Sequence, residues 1–309
     1  MSKVKIYVSY KDKHIPLKSD VIKQIQTGRA IADEIFEEMI GDDTGDNISS
    51  LNPSYCELSA FYWIWKNYAQ IGNPEHIGFM HHRRHLLFGD NICTENLPIC
   101  FIGMNEEYIS QKLAEQNIPK YISNYDMLVA SPIHSDLTLE EQYAFYHHKT
   151  DFEYLLEILK KHSMEDYNLM QKHKKDKYVY FLNMFVMPKD MFFEYCSWIF
   201  PIIEIFYAQY KEREYDEYQK RLFIGERLTS LFIEKKKLEG FKIKELPFSF
   251  VEIPETFNRS NYNKNVIKYW KCKIIKCLTF GQKRHKYKEK MVAIKAKIIK
   301  AKSLMKREI

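Results

Sequence analysis

Apolar and polar positions alternate over residues 4–9 (VKIYVS), with Val4, Ile6 and Val8 on one side, which predicts a strand. Further apolar runs bounded by breakers predict strands at 76–81 (HIGFMH), 126–130 (DMLVA), 178–187 (YVYFLNMFVM) and 241–251 (FKIKELPFSFV). Between them, apolar residues spaced by three and four predict helices over about 54–69, 139–161, 189–212 and 217–237. Asn52 followed by Pro53 predicts an N-cap and first turn for the first of these. Strands that alternate with helices predict an α/β sandwich with a largely parallel sheet across residues 1–258. In such sheets ligands sit beyond the carboxyl ends of the strands.

Residues 259–309 follow a different pattern. Ile267, Trp270, Ile274 and Cys277 step by three, four and three, and Met291, Ile294, Ile298, Ala301 and Met305 repeat that spacing among lysines. From Asn261 onward there are 16 Lys and Arg against Glu289 and Glu308, so the net charge of +6 is the sum of a +14 tail and a −8 body. A basic amphipathic helix of this kind predicts binding in an anionic membrane interface. A solvated helix, a coiled-coil arm and a nucleic-acid-binding extension share the pattern.

Composition narrows the classes. A chain that is 45% hydrophobic and 15% aromatic is not disordered. Its first residues read as a strand, not as the apolar run of a signal peptide, and no stretch reaches about 18 uninterrupted apolar residues. The six cysteines form no CxxC pair, and Cys272, Cys277 and His285 are a poor zinc set, so reduced thiols in a cytoplasmic protein are expected. The acidic body argues against nucleic acid as the main partner.

Chemistry concentrates at the strand ends. His81-His82-Arg83-Arg84-His85 directly follows an apolar strand, and two arginines with flanking histidines could neutralise a diphosphate without metal. A solvated basic loop is the alternative. Glu57, near a helix start, could face the same site. Asn183 interrupts an apolar run and must find a hydrogen-bond partner, either structural or ligand. Glu226 beside Arg227 reads as a surface pair or as a general base held by its neighbour.

The ordered blocks NPSYCELSAFYWIWKN, HIGFMHHRRH, FLNMFVMPKDMFFEYCSWIF and RLFIGERL, with IQTGRA and EEQYAFYHHKTD, resemble bacterial capsule and O-antigen glycosyltransferases related to galactofuranosyltransferases, long catalogued as a domain of unknown function. The likeness covers roughly residues 3–250. It implies a GT-A-like fold and transfer of galactofuranose or galactose from a UDP-sugar to a lipid-linked surface glycan, and the basic tail would place that transfer at the inner face of the cell membrane. The family's usual His-Tyr-Arg-Arg has His82 in place of tyrosine. No Asp-x-Asp metal motif occurs, and His81, Arg83 and Arg84 stand where it is expected, so no cofactor or divalent metal is expected.

By position, the resemblance puts Tyr7, Ser9 and Tyr10 near the base and ribose, with Gln26 and Gly28 shaping that pocket. It puts Asn47, Asn52, Tyr55 and Glu57 along the donor site and Asn183 near the transferred sugar. Glu226 is the first choice for the base, then Asp126, then Glu57, and the family likeness implies inversion. His148 and Asp151 are placed at the acceptor or as a structural pair. A non-catalytic glycan-assembly scaffold and a nucleic-acid-binding protein are the rival classes, and an oligomer is left open.

Each tail lysine near an anionic leaflet contributes roughly 1 kcal/mol. The full chain should therefore sediment with anionic liposomes, and a chain ending near Arg259 should stay in solution. Equal sedimentation of the two would remove the membrane role.

Overall fold

The computed structural model of the chain describes residues 3–11, 19–90, 92, 99–102, 106–211 and 220–252, with helical pieces at 269, 286–287 and 289–295. The chain divides into two units, Met1–Glu252 and Ile253–Ile309. Most of the tail expected to form amphipathic helices lies outside the described residues.

The first unit runs β1 (Val4–Tyr10), β2 (Ile22–Gln26), β3 (Ile40–Gly41), α1 (Asn52–Tyr55), α2 (Leu58–Lys66), β4 (His76–His81), β5 (Ile99–Ile102), α3 (Ile118–Asn124), β6 (Met127–Ala130) and β7 (Ile133–His134). It continues with α4 (Leu139–Tyr146), α5 (Lys149–His162), α6 (Met164–His173), β8 (Tyr178–Val179), β9 (Phe185–Pro188), α7 (Lys189–Tyr210), α8 (Ile224–Leu238), β10 (Ile243–Leu246) and β11 (Ser249–Glu252). Seven strands form the main sheet in the order β10-β6-β9-β4-β1-β2-β3. All neighbours are parallel except β9, which runs antiparallel between β4 and β6.

The expected sandwich is present, and the reason is legible in β1. Val4, Ile6, Val8 and Tyr10 pack into one apolar cluster with Met80, Leu86 and Val186. Tyr7 points to the other face, where Phe61, Phe79, Phe185 and Phe192 build the larger core. A central parallel strand covered on both faces needs apolar residues throughout. Helix α7 is long and apolar enough to cross a membrane by composition, but half of its apolar window is buried. It packs against α2, α5 and α8 as a core helix.

Several expected elements are split. The helix expected over 54–69 starts earlier and breaks at Cys56, whose φ of 50° ends α1. Asn52 lies inside α1 and does not cap it: its amide donates to the Cys56 carbonyl and to Ser59 Oγ. The helix expected over 139–161 breaks at His147, where the backbone turns extended. The strand expected over 178–187 divides into β8 and β9 around Leu182 (φ 79°) and Asn183 (φ 48°). The last expected strand divides at Pro247, which lacks the N–H a ladder needs, and β11 joins β5 in a separate small sheet.

Asp42 fixes the loops above the sheet. Its buried carboxylate accepts from the Gly28 and Arg29 backbone N–H groups (3.0 and 3.1 Å) and from Ser49 and Ser59 Oγ (2.5 and 2.7 Å). Gly28 has a φ of 68°, and a Cβ there would lie 2.8 Å from Asn52. Only glycine meets both demands at little cost.

Candidate active site

A cavity of about 460 Å³ opens at the carboxyl ends of β1 and β4, against the start of β9 and the first turn of α8. Because β9 is antiparallel, its amino end lies at this edge. The turn entering β9 therefore meets the basic segment after β4. That segment is a tight hairpin: His81 and Arg84 exchange backbone hydrogen bonds at 3.0 Å, and the His82 N–H donates to the Ser9 carbonyl. His81, His82 and Arg84 line the cavity. Arg83 is exposed and does not line it; the guanidiniums of Arg83 and Arg84 lie 5.8 and 5.2 Å from the Phe250 ring. The basic segment is not uniformly exposed cation either. His85 is fully buried, hydrogen-bonded to Tyr108, and burial pushes its pKa down to about 3, so it packs as a neutral ring.

The acidic wall comes from α2 and α8. Glu57 is the residue before α2 and Glu226 sits in the first turn of α8, and both line the cavity. Glu226 Oε1 accepts the Leu182 N–H (3.0 Å), and its Oε2 accepts from the buried Arg227 guanidinium (3.0 Å). The Leu182 carbonyl accepts from His81 Nε2, which therefore carries its proton there. Asn183 is buried, donating to Glu57 Oε1 (2.7 Å) and accepting from Thr229 Oγ1 (2.6 Å). Burial, reinforced by the nearby Glu57 charge, raises the Glu226 pKa against the opposing pull of Arg227.

The remaining sequence candidates divide by location. Ser9, Asn52 and Tyr55 line the main cavity. Gly28 and Asn52 also line an adjoining cavity of about 360 Å³ walled by the 31–36 loop. Gln26 lines neither; it is fully buried and holds that loop through the Glu34 carbonyl and Phe36 N–H. Tyr7 is core, its ring beside Phe79, and its hydroxyl has no hydrogen-bond partner among the described residues. Tyr10 is likewise buried, near the His82 ring, with its pKa pushed up to about 12. The two lie on opposite faces of a central strand that is covered on both sides.

Asn47 braces its own loop through the Asp43 and Gly45 carbonyls and the Ser49 N–H. Asp126 opens β6 at the opposite edge of the sheet, exposed and accepting the Lys242 N–H, and is not brought to the cavity. His148 precedes α5 and Asp151 is buried in its first turn; neither lines a described cavity. Their neighbour His147 comes closer, stacking 4.1 Å from the cavity-lining Phe223.

Sequence reasoning missed Lys11, Thr27, Arg221 and Thr229. Lys11 and Thr27 directly follow β1 and β2, where strand-end reasoning could have found them. Thr229 shares a helix face with Glu226 at a spacing of three. Among the described residues, no three His, Cys, Asp or Glu side chains are grouped as a metal site requires.

The sequence profile of a family described as a domain of unknown function (DUF4422) matches residues 5–237. The chain belongs to this family. A solved structure, that of the WbbM bifunctional glycosyltransferase in its apo form, is 33% identical with a TM-score of 0.74. The match covers 82% of this chain and 46% of WbbM, so the chain spans less than half of that protein. No curated protein matches. The DUF4422 unit thus has a glycosyltransferase fold, in agreement with the resemblance carried by its sequence blocks.

The raised Glu226 pKa fixes the sign of a stability effect. A carboxyl whose folded pKa exceeds its unfolded value favours the fold below the unfolded pKa and loses that contribution as pH rises through the folded pKa. Urea denaturation of wild type and Glu226→Gln at pH ~4 and pH ~7.5 brackets an ordinary glutamate. Wild type should lose stability relative to the variant as pH rises. A relative gain would contradict the assigned burial effect.

Proposed function

We propose that the chain is a glycosyltransferase that moves galactofuranose or galactose from a UDP-sugar to a lipid-linked surface glycan, with inversion and without a metal. The observation that carries the reading is that cations and carboxylates line one strand-end cavity. Lys11, Arg84 and Arg221 supply the cations, and Glu57 and Glu226, with Asn183, supply the acidic and polar groups. The likeness to a glycosyltransferase supports it.

In this reading the nucleoside enters the adjoining cavity beside Thr27 and Gly28, and the diphosphate faces Arg84 and Lys11. Arginine suits phosphate oxygens because its rigid fork donates in pairs. Negative charge grows on the diphosphate as the bond to the anomeric carbon breaks, so fixed cations there favour the transition state over the ground state. A carboxylate on the opposite wall takes the proton of the attacking hydroxyl. The lysine-rich tail, beyond the family match, would hold the enzyme near a lipid-linked acceptor at the inner face of the membrane.

Thermal unfolding with UDP tests this directly. At a UDP concentration about 100 times Kd, stabilisation should reach about 2.7 kcal/mol. Arg84→Ala should remove most of the shift and Arg83→Ala little of it. UDP release from a UDP-sugar should survive EDTA. No shift and no turnover would favour a scaffold that keeps the fold alone, and loss in EDTA with recovery in manganese would overturn metal independence.

A further inference from the structure

The two carboxylates of the cavity differ in what remains free on them. Glu226 has both oxygens engaged by protein donors, Leu182 N–H and Arg227. Glu57 has one engaged, Oε1, by Asn183 Nδ2 at 2.7 Å. Its second oxygen has no hydrogen-bond partner among the described residues. Each carboxylate oxygen has two lone pairs, so Glu226 retains one on each, but only Glu57 offers an oxygen on which no donor among the described residues competes with an incoming hydroxyl.

The hydrogen bonds behind Glu57 can be ordered by elimination. A carboxylate only accepts, so the Asn183 amide must present Nδ2 to it and Oδ1 to the other side. There Thr229 Oγ1 lies 2.6 Å away and supplies the only donor to Oδ1 among the described residues. Thr229 has one hydroxyl proton; the Gly225 carbonyl, 3.0 Å from Oγ1, is its other acceptor, but the shorter contact to Asn183 Oδ1 needs that proton, so Tyr195 OH, 2.7 Å from Oγ1, donates to it. The chain therefore runs Tyr195 to Thr229 to Asn183 to Glu57. Tyr195, Thr229 and Asn183 are each at most 3% exposed, so these hydrogen bonds are buried. Burial also raises the Tyr195 pKa, which keeps the phenol a donor.

We propose that Glu57 is the carboxylate that takes the acceptor proton, and that Thr229 and Tyr195 are positioning residues that fix its orientation through Asn183. The proposal rests on the glycosyl-transfer reading. The acceptor oxygen forms its bond to the anomeric carbon as the bond from that carbon to the diphosphate oxygen breaks. The electron pair leaves on the diphosphate, and the hydroxyl proton passes to the free oxygen of Glu57. Glu226 then serves to hold the Leu182 turn, and the order of candidates read from sequence is reversed.

UDP release in water from UDP-galactose and UDP-galactofuranose, using whichever wild type hydrolyses faster, provides the test. Glu57→Gln should lower kcat by about 10²- to 10⁴-fold with the UDP-induced thermal shift unchanged. Thr229→Val should lower kcat at least about tenfold with donor KM within about twofold, and Thr229→Ser should restore it. Glu57→Gln at wild-type rate, or Thr229→Val with unchanged kcat, would overturn the proposal while leaving glycosyl transfer standing. A wild-type chain that neither binds UDP nor releases it would overturn both. Should Thr229→Val fail to fold, Glu57→Gln and Thr229→Ser still decide the matter.

Discussion

The turn at Leu182–Asn183 is the constraint on which the candidate site depends. Both residues have positive φ, a region that costs a residue with a side chain roughly 1–2 kcal/mol. Such a turn persists only where its surroundings over-determine it. Here Glu226 takes the Leu182 N–H, His81 donates to the Leu182 carbonyl, and Glu57 and Thr229 hold the Asn183 side chain. The residues that satisfy the turn come from β4, α8 and the entry to α2, so one local backbone geometry gathers the ends of three distant segments. The antiparallel setting of β9 makes this possible, because it brings the amino end of that strand to the edge where the parallel strands finish.

Electrostatics follow from the same arrangement. Carboxylates sit at the amino ends of α2 and α8, where helix dipoles favour negative charge. Cations come from the β4 hairpin and from positions following β1 and preceding α8. Both signs line one cavity, where Glu226 also pairs with Arg227. A site that must meet a departing diphosphate and an incoming hydroxyl requires both. Asp42 performs the structural counterpart nearby, tying the Gly28 loop to Ser49 and to Ser59 of α2.

Much of this was legible in the sequence because it rests on short-range pattern. The β1 alternation, the apolar run of β4 and the helical spacing of α7 name their elements, and block order carries the glycosyltransferase likeness. The basic segment could be seen, but its distribution could not. A two-residue hairpin leaves Arg83 exposed and turns His85 into the core, which depends on the pairing of His81 with Arg84. Tyr7 and Tyr10 were drawn to the site by position, yet in a strand covered on both faces their side chains belong to the two cores. Asp126 lies at the amino end of β6, away from the edge where the cavity opens. The breaks at Cys56, His147 and Leu182 are set by tertiary contacts and leave no glycine to announce them. Thr229 and Tyr195 look like ordinary helix residues until Asn183 meets them across the fold.

A structure of the chain with bound UDP would test the central claim most directly. The account predicts the diphosphate within hydrogen-bond distance of Arg84, with Glu57 and Glu226 facing the position where the sugar would stand, and the Leu182–Asn183 turn unchanged. UDP bound away from the strand-end cavities, or bound there with its diphosphate against the carboxylate wall, would contradict it.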